Sequence, residues 1–418
     1  MKNVGILFPG QGSQYIGMGK SIYDNFAIAK QTFEEANEVL GYDLRKICFN
    51  GTLKELNSID NMLAAILTTS IANYRIFMQE VGMQPAYMAG HSLGEYSALA
   101  CSGALEFTDA LKIVRVRSLL AQEAAQKQDG VMTIVENTNK EQVEKICRDS
   151  TTNQNIVCVS LYNSQSQFTI CGHNNAVMDA EGKLLEAGAK ITPIMMGAPF
   201  HSSLMKDAAT KLGEELSKYN FKKPKCNIIS NVTATPYKTA EMIINNLINQ
   251  LVMPVKWDET MKFLNKQNLD LLIDIGPQNL LQNMSDYGEM NSRIYSFNQK
   301  NDKKQLLDAI NENKLGGTCN IVTQALALAV STKNKNWNND EYNKGVVENY
   351  RIIETIQNEL DESGNVPTYD QMHKSLQCLR IILMTKKVEL DEQNKMIRGI
   401  LESTGQIDTF SSFTEGRI

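Results

Sequence analysis

The chain has 418 residues, with 42 basic against 47 acidic side chains and a formal charge of −5, a length that suggests roughly two or three domains. An apolar content of 42% and a charged content of 21% exclude wholesale disorder and collagen-like repeats. With no excess of Lys and Arg to neutralise phosphates, a nucleic-acid partner is not expected.

The first candidate element is a buried strand over residues 4–8, ended by the loop Pro9-Gly10-Gln11-Gly12-Ser13-Gln14. That apolar stretch is too short for a signal peptide. No run of ~18 apolar residues marks a spanning helix either, so a soluble, cytoplasmic protein with no membrane partner is expected. Helical patterns run to about residue 80, and a second apolar stretch, Ala86–Ala89, leads into Gly90-His91-Ser92-Leu93-Gly94 and another helix. Strand, tight turn and helix in that order imply an α/β core with a parallel sheet.

Strands over Val131–Val135, Ile156–Leu161, Phe168–Cys171 and Ile191–Met195, with helices at 140–147 and about 175–187, give the order β-α-β-β-α-β. This is the ferredoxin-like unit, here inserted into the larger domain. Strands Asn227–Val232 and Leu271–Ile275 return the chain to the core. Beyond about 312 the breaks Leu315-Gly316-Gly317 and Asn334–Asn343 punctuate the chain. Three helical stripes then follow: Tyr350, Ile353, Ile356 and Leu360; Met372, Leu376, Leu379 and Leu383; and Met396, Ile397, Ile400 and Leu401. Gly364-Asn365-Val366-Pro367 reads as a turn, with Thr368 as N-cap. The expected domains are therefore a core over 1–128 and 197–312, an inserted subdomain over 129–196 and a helical extension over 313–418.

Gly90-His91-Ser92-Leu93-Gly94 fits a nucleophile elbow. A serine on a strained strand-to-helix turn stands clear of the backbone, and the helix that starts there aims free N–H groups at a developing oxyanion. The serine needs a base, and only His91, His173, His201 and His373 are available. His91 adjoins Ser92 and projects elsewhere, His173 follows a small-domain strand, and His373 lies on the appended helices. His201 follows the last small-domain strand, where the chain crosses back at the mouth of any interdomain cleft, and a Ser92–His201 pair is the economical arrangement. The eight cysteines have neither C-x-x-C nor zinc spacing, and reduced thiols with no metal site are expected.

Several motifs in order, Phe8-Pro9-Gly10-Gln11-Gly12-Ser13-Gln14, Gly90–Leu99, Arg117–Ala124, Asn163-Ser164, Phe200-His201-Ser202, Gln250–Trp257 and Ile275-Gly276-Pro277, resemble those of the malonyl-CoA:acyl-carrier-protein transacylases over about residues 1–300. The resemblance implies an α/β-hydrolase-like core and ping-pong transfer of malonyl from malonyl-CoA to the phosphopantetheine thiol of a holo acyl carrier protein, with no tightly bound cofactor. It implies Ser92 as nucleophile, His201 as general base, the backbone N–H groups of Gln11 and Leu93 as oxyanion hole, and the Gln250 carbonyl as the group orienting His201. Arg117 would fork onto the free malonate carboxylate, while Arg115, two positions away, faces elsewhere.

Phe200 is similar to the malonyl-selecting residue of modular polyketide acyltransferases, whereas bacterial fatty-acid versions often carry a smaller residue there. Together with the helical extension, it favours a free-standing acyltransferase for a polyketide synthase assembly line over a fatty-acid role. Two other functions compete: a trans-acting hydrolase that clears misloaded carriers, and a docking protein acting through its tail.

Overall fold

The computed structural model describes residues 3–414 apart from 195–197, 285–289, 313–319, 364, 366 and 408. Met195, Gly197, the Leu315-Gly316-Gly317 break, and Gly364 and Val366 of the expected turn lie outside the described residues. Among those described, the strands are β1 (Val4–Phe8), β2 (Tyr87–Gly90), β3 (Gly130–Glu136), β4 (Val157–Tyr162), β5 (Gln167–His173), β6 (Lys190–Pro193), β7 (Asn227–Ile229), β8 (Val255–Lys256), β9 (Leu271–Asp274) and β10 (Ile294–Ser296).

Five strands form a parallel sheet in the order β10-β9-β1-β2-β7. β1 is apolar and buried at all five positions, as a parallel strand covered on both faces must be. The register pairs Phe8 with Gly90, Ala89 with Ile229 and Leu7 with Asp274. The loops that follow these strands therefore emerge at one carboxyl edge, where α/β sheets place their sites. β7 stops at Ile229 instead of running to Val232, because Ser230 starts a turn in which its N–H donates to the Thr235 carbonyl at 3.0 Å.

The second sheet has the order β6-β3-β5-β4-β8. Each of its first four strands runs antiparallel to its neighbours among them, in the strand order of a split β-α-β unit. Period-2 alternation gives the sheet two different faces. Val135, Val157, Val159, Phe168 and Ile170 pack on the helices Lys140–Ser150 and Asn174–Glu186, while Met132, Ile134, Gln167 and Thr169 face a cavity. β8 joins this sheet in parallel through Leu161↔Val255 and Tyr162↔Lys256. A two-residue strand carries no readable alternation, and neither β8 nor β10 was expected.

By Cα proximity the chain divides into a larger unit, Lys2–Ile76 with Gln84–Leu306, and a smaller one comprising chiefly Leu307–Ile418. The smaller unit holds the helices Ile321–Ser331, Glu348–Ser363, Tyr369–Thr385 and Leu390–Ser403 around a core that includes Ile321, Ile353, Leu376, Leu379, Ile397 and Leu401. Thr368 caps its helix in a reciprocal capping box with Gln371. The Asn-rich stretch is only partly a break. Asn334 and Asn336 turn the backbone through side-chain hydrogen bonds, and Asn338 caps the helix that starts at Asn339. No helix among the described residues is long and apolar enough to cross a membrane.

Candidate active site

Close approach shapes the elbow after β2. A Cβ on Gly90 would lie 1.9 Å from the Gly94 carbonyl carbon, and one on Gly94 would lie 2.0 Å from the Phe8 oxygen; only glycine fits at either end of Gly90-His91-Ser92-Leu93-Gly94. Between them Ser92 takes φ 51°, a left-handed conformation disfavoured for residues with a Cβ. The Asn231 side chain braces this turn, its Oδ1 accepting the Ser92 N–H at 2.7 Å and its Nδ2 donating to the Gly90 carbonyl at 2.6 Å. Gly10 on the loop after β1 is pressed against the elbow, with 2.5 Å between a Cβ placed there and the His91 oxygen. Gln11 is thereby brought to the same cavity as Leu93. Among the described residues, neither the Gln11 nor the Leu93 N–H donates to a protein acceptor.

Ser92 Oγ lies 2.7 Å from His201 Nε2, and His201 Nδ1 lies 2.6 Å from the Gln250 carbonyl oxygen. A carbonyl only accepts, so the proton sits on Nδ1 and Nε2 offers its lone pair to the serine hydroxyl. That carbonyl is free because Gln250 ends the helix Ala240–Gln250, where the last C=O groups lack intrahelical partners. The helix C-terminus also carries partial negative charge, which favours an imidazolium when one forms. The next residue holds the His201 backbone: its N–H donates to the Leu251 carbonyl at 2.9 Å, with His201 itself at φ 63°. Burial and the adjacent Arg117 cation press the imidazole pKa down to about 3, so the ring is a neutral base at physiological pH.

Arg117, on the helix Phe107–Gln128, is 1% exposed. Its Nη2 reaches Ser92 Oγ at 3.3 Å and Gln250 Oε1 at 3.5 Å, while Nε and Nη1 find no partner among the described residues. The guanidinium lies 4.3 Å from the centre of the Phe200 ring, a cation–π contact. Burial lowers the pKa of this cation. Arg115 turns away and donates to the Leu40 carbonyl at 3.0 Å. Ser92, His201, Arg117, Gln11, Leu93 and Phe200 line one cavity of about 250 Å³. His173 and His373 are not among its lining residues. His91 lines it, but its Nε2 donates to Asn163 Oδ1 at 2.9 Å.

Three residues beneath the elbow escaped the sequence analysis as contributors: Glu95, Asn231 and Tyr237. Glu95, with 0% exposure, accepts from Tyr237 Oη at 2.6 Å, Asn231 N–H at 3.2 Å and Gln250 Nε2 at 2.6 Å. Burial raises its carboxyl pKa to about 7. An acidic residue inside the apolar first turn of the elbow helix, and an Asn just past a parallel strand's carboxyl end, were the available signals.

The chain as a whole has counterparts among known proteins. Residues 6–307 match the acyl transferase domain family. The chain belongs to the malonyl CoA-acyl carrier protein transacylases. A relative of that description from Bacillus subtilis is 33% identical over 400 residues, covering 95% of this chain and all of its own. The one from Escherichia coli K12 is 37% identical over 286 residues, 68% of this chain and 92% of its own. Among solved structures, the Coxiella burnetii transacylase superposes with a TM-score of 0.71 at 33% identity, covering 74% of this chain and 98% of that one. A malonyl-transacylase in complex with its type II polyketide-synthase acyl carrier protein gives 0.70 at 35% identity, with 74% and 100% coverage. At 95% of this chain the Bacillus subtilis match must reach into the helical extension, whereas the Escherichia coli match takes in 68%.

Proposed function

We propose that the protein transfers malonyl from malonyl-CoA, through an ester on Ser92, to the phosphopantetheine thiol of a holo acyl carrier protein. Ser92 Oγ attacks the thioester carbonyl as its proton passes to His201 Nε2. The oxyanion is received by the N–H groups of Gln11 and Leu93, the C–S bond breaks, and His201 returns the proton to the CoA sulfur. The carrier thiol then gives its proton to His201 and attacks the ester, and Ser92 Oγ leaves and is reprotonated. The Gln250 carbonyl stabilises the transient imidazolium in place of a triad carboxylate. Every bond exchanged is an acyl–S or acyl–O bond, so the residues present suffice and no tightly bound cofactor takes part.

The observation that carries the malonyl assignment is the buried Arg117 guanidinium, whose Nη2 reaches Ser92 Oγ and whose Nε and Nη1 have no partner among the described residues. A carboxylate on the acyl group supplies the paired, charge-assisted acceptor that this cation lacks. Phe200 beneath it narrows the space beside that carboxylate and favours an unbranched α-carbon. A hydrolase for unbranched acyl groups has no use for such a cation.

The carrier belongs to fatty-acid or polyketide synthesis, and the helical extension, together with Phe200, favours a free-standing enzyme for a polyketide assembly line. We assign residues 1–128 and 197–312 to the acyltransferase core, 129–196 to the inserted subdomain and 313–418 to the extension, in a cytoplasmic protein. Incubation with labelled malonyl-CoA, with and without holo carrier protein, tests the function. The expected result is label on Ser92 that moves to the carrier; fast release of free malonate with little carrier labelling would instead make the protein a hydrolase.

A further inference from the structure

Beneath the catalytic pair, the Gln250 side chain is a two-faced amide whose orientation is dictated by its neighbours. On one side its Nε2 meets three acceptors, Glu95 Oε2 at 2.6 Å, the Ser92 carbonyl at 3.0 Å and Asn231 Oδ1 at 3.4 Å. On the other, its Oε1 faces the Arg117 Nη2 donor. An ionised carboxylate has acceptor sites only. Reversing the amide would set its N–H2 against the guanidinium and its oxygen against three other oxygens. Glu95 itself is locked by Tyr237 and the Asn231 N–H, and Asn231 in turn braces Ser92.

We propose that Glu95 is a positioning residue for carboxylated acyl groups: as a buried acceptor under the elbow it fixes the Gln250 amide with its oxygen toward Arg117, and so presets the guanidinium for malonate. The proposal rests on the malonyl-transfer function above. Glu95 touches neither Ser92 Oγ nor His201, and it acts through Gln250. It also provides the anionic counterweight to Arg117 across that amide while the acyl site is empty. Binding of malonate then adds a carboxylate to a cation already held in place.

In Glu95→Gln a donor N–H2 can face Gln250 Nε2. The Gln250 amide then turns over and presents its own N–H2 to Arg117. The groups facing Glu95 are Arg117, Tyr237 and, beyond them, Tyr96. Burial raises the Tyr96 phenol to about 12 and the Tyr237 phenol well above its ordinary value, and arginine stays cationic. Between about pH 5 and 9 Glu95 is therefore the member of this group that changes charge. With burial holding its carboxyl near about 7, protonation below that pH imitates the Gln variant.

The test measures kcat and KM for malonyl-CoA and acetyl-CoA, with holo carrier protein as acceptor, on the full chain and on Glu95→Gln and Glu95→Asp. The expected result is a malonyl-over-acetyl preference that falls about tenfold in Glu95→Gln, chiefly through KM, the size of one charge-assisted contact, and that is partly recovered in Glu95→Asp. Equal losses for both acyl groups, or no change in the ratio, overturn the proposal. Should Glu95→Gln not fold, the wild-type pH profile decides: KM for malonyl-CoA rises below about pH 7 relative to that for acetyl-CoA, and a ratio flat with pH overturns the proposal. Failure of the functional assignment looks different, because wild-type Ser92 would then carry no malonyl ester to pass to the carrier.

Discussion

Two arginines, one in each compact unit, are buried to the same degree and partnered differently. Arg117 and Arg380 are both 1% exposed. Arg380, in the helical extension, donates from Nη1 to Asn394 Oδ1 at 2.7 Å and from Nη2 to the Phe413 carbonyl, with Gln393 Oε1 at 3.5 Å. It ties the last described turn to two helices, and among the described residues only its Nε lacks a partner. Arg117 has two long hydrogen bonds, at 3.3 and 3.5 Å, and two nitrogens without a partner among the described residues, on a side chain that lines a cavity. Burial alone does not mark a binding cation. What marks it is a shortfall of acceptors in a structure that supplies them elsewhere.

The comparison sharpens first through stability. Arg380→Ala leaves the Phe413 carbonyl and the Asn394 side chain without their donor, and should cost about 1–3 kcal/mol in the unfolding of the extension, read by calorimetry or denaturant titration. Its malonyl-over-acetyl preference should match the wild type; a shift in that preference would erase the contrast between the two cations. Arg117→Ala removes a cation with few internal partners, and should cost less stability than Arg380→Ala in the same measurement.

A smaller effect lies at His201. Burial and then the Arg117 charge hold its pKa at about 3, so removing that charge must move it upward. Histidine NMR titrations should find the wild-type His201 ring neutral down to below pH ~5, far under the ordinary midpoint near 6.5, and should find the midpoint higher in Arg117→Ala. An unchanged midpoint would show that the guanidinium does not act on the base.

Much of this arrangement was legible in the sequence, for a physical reason. β1 and β2 are short apolar runs closed by turn residues, and Gly90 and Gly94 are demanded by a bend that admits no Cβ, so a local pattern reports them. The stripes of the extension, such as Leu376, Leu379 and Leu383, and the Thr368 cap were visible by the same local rules. His201 was reached by elimination among four imidazoles, and the structure brings it within 2.7 Å of Ser92. What stayed hidden depends on residues far apart in the chain. Glu95, Asn231, Tyr237 and the Gln250 side chain become a network only when the carboxyl ends of β2 and β7 and the end of the helix Ala240–Gln250 meet. The four residues of β8 and its partner register are likewise a tertiary fact, since a two-residue strand has no period of its own. The helix Ile321–Ser331 is apolar nearly all round and offered no stripe to read.

Whether Arg117 is a buried cation kept for the carboxylate of the acyl group is read from the ratio of kcat/KM for malonyl-CoA to that for acetyl-CoA in wild type and in Arg117→Ala. Loss of charge-assisted contacts of about 1.5–3 kcal/mol corresponds to a fall of roughly 10- to 150-fold in that ratio, with acetyl transfer spared or raised. Equal losses for the two acyl groups would contradict the claim and make Arg117 a structural cation like Arg380.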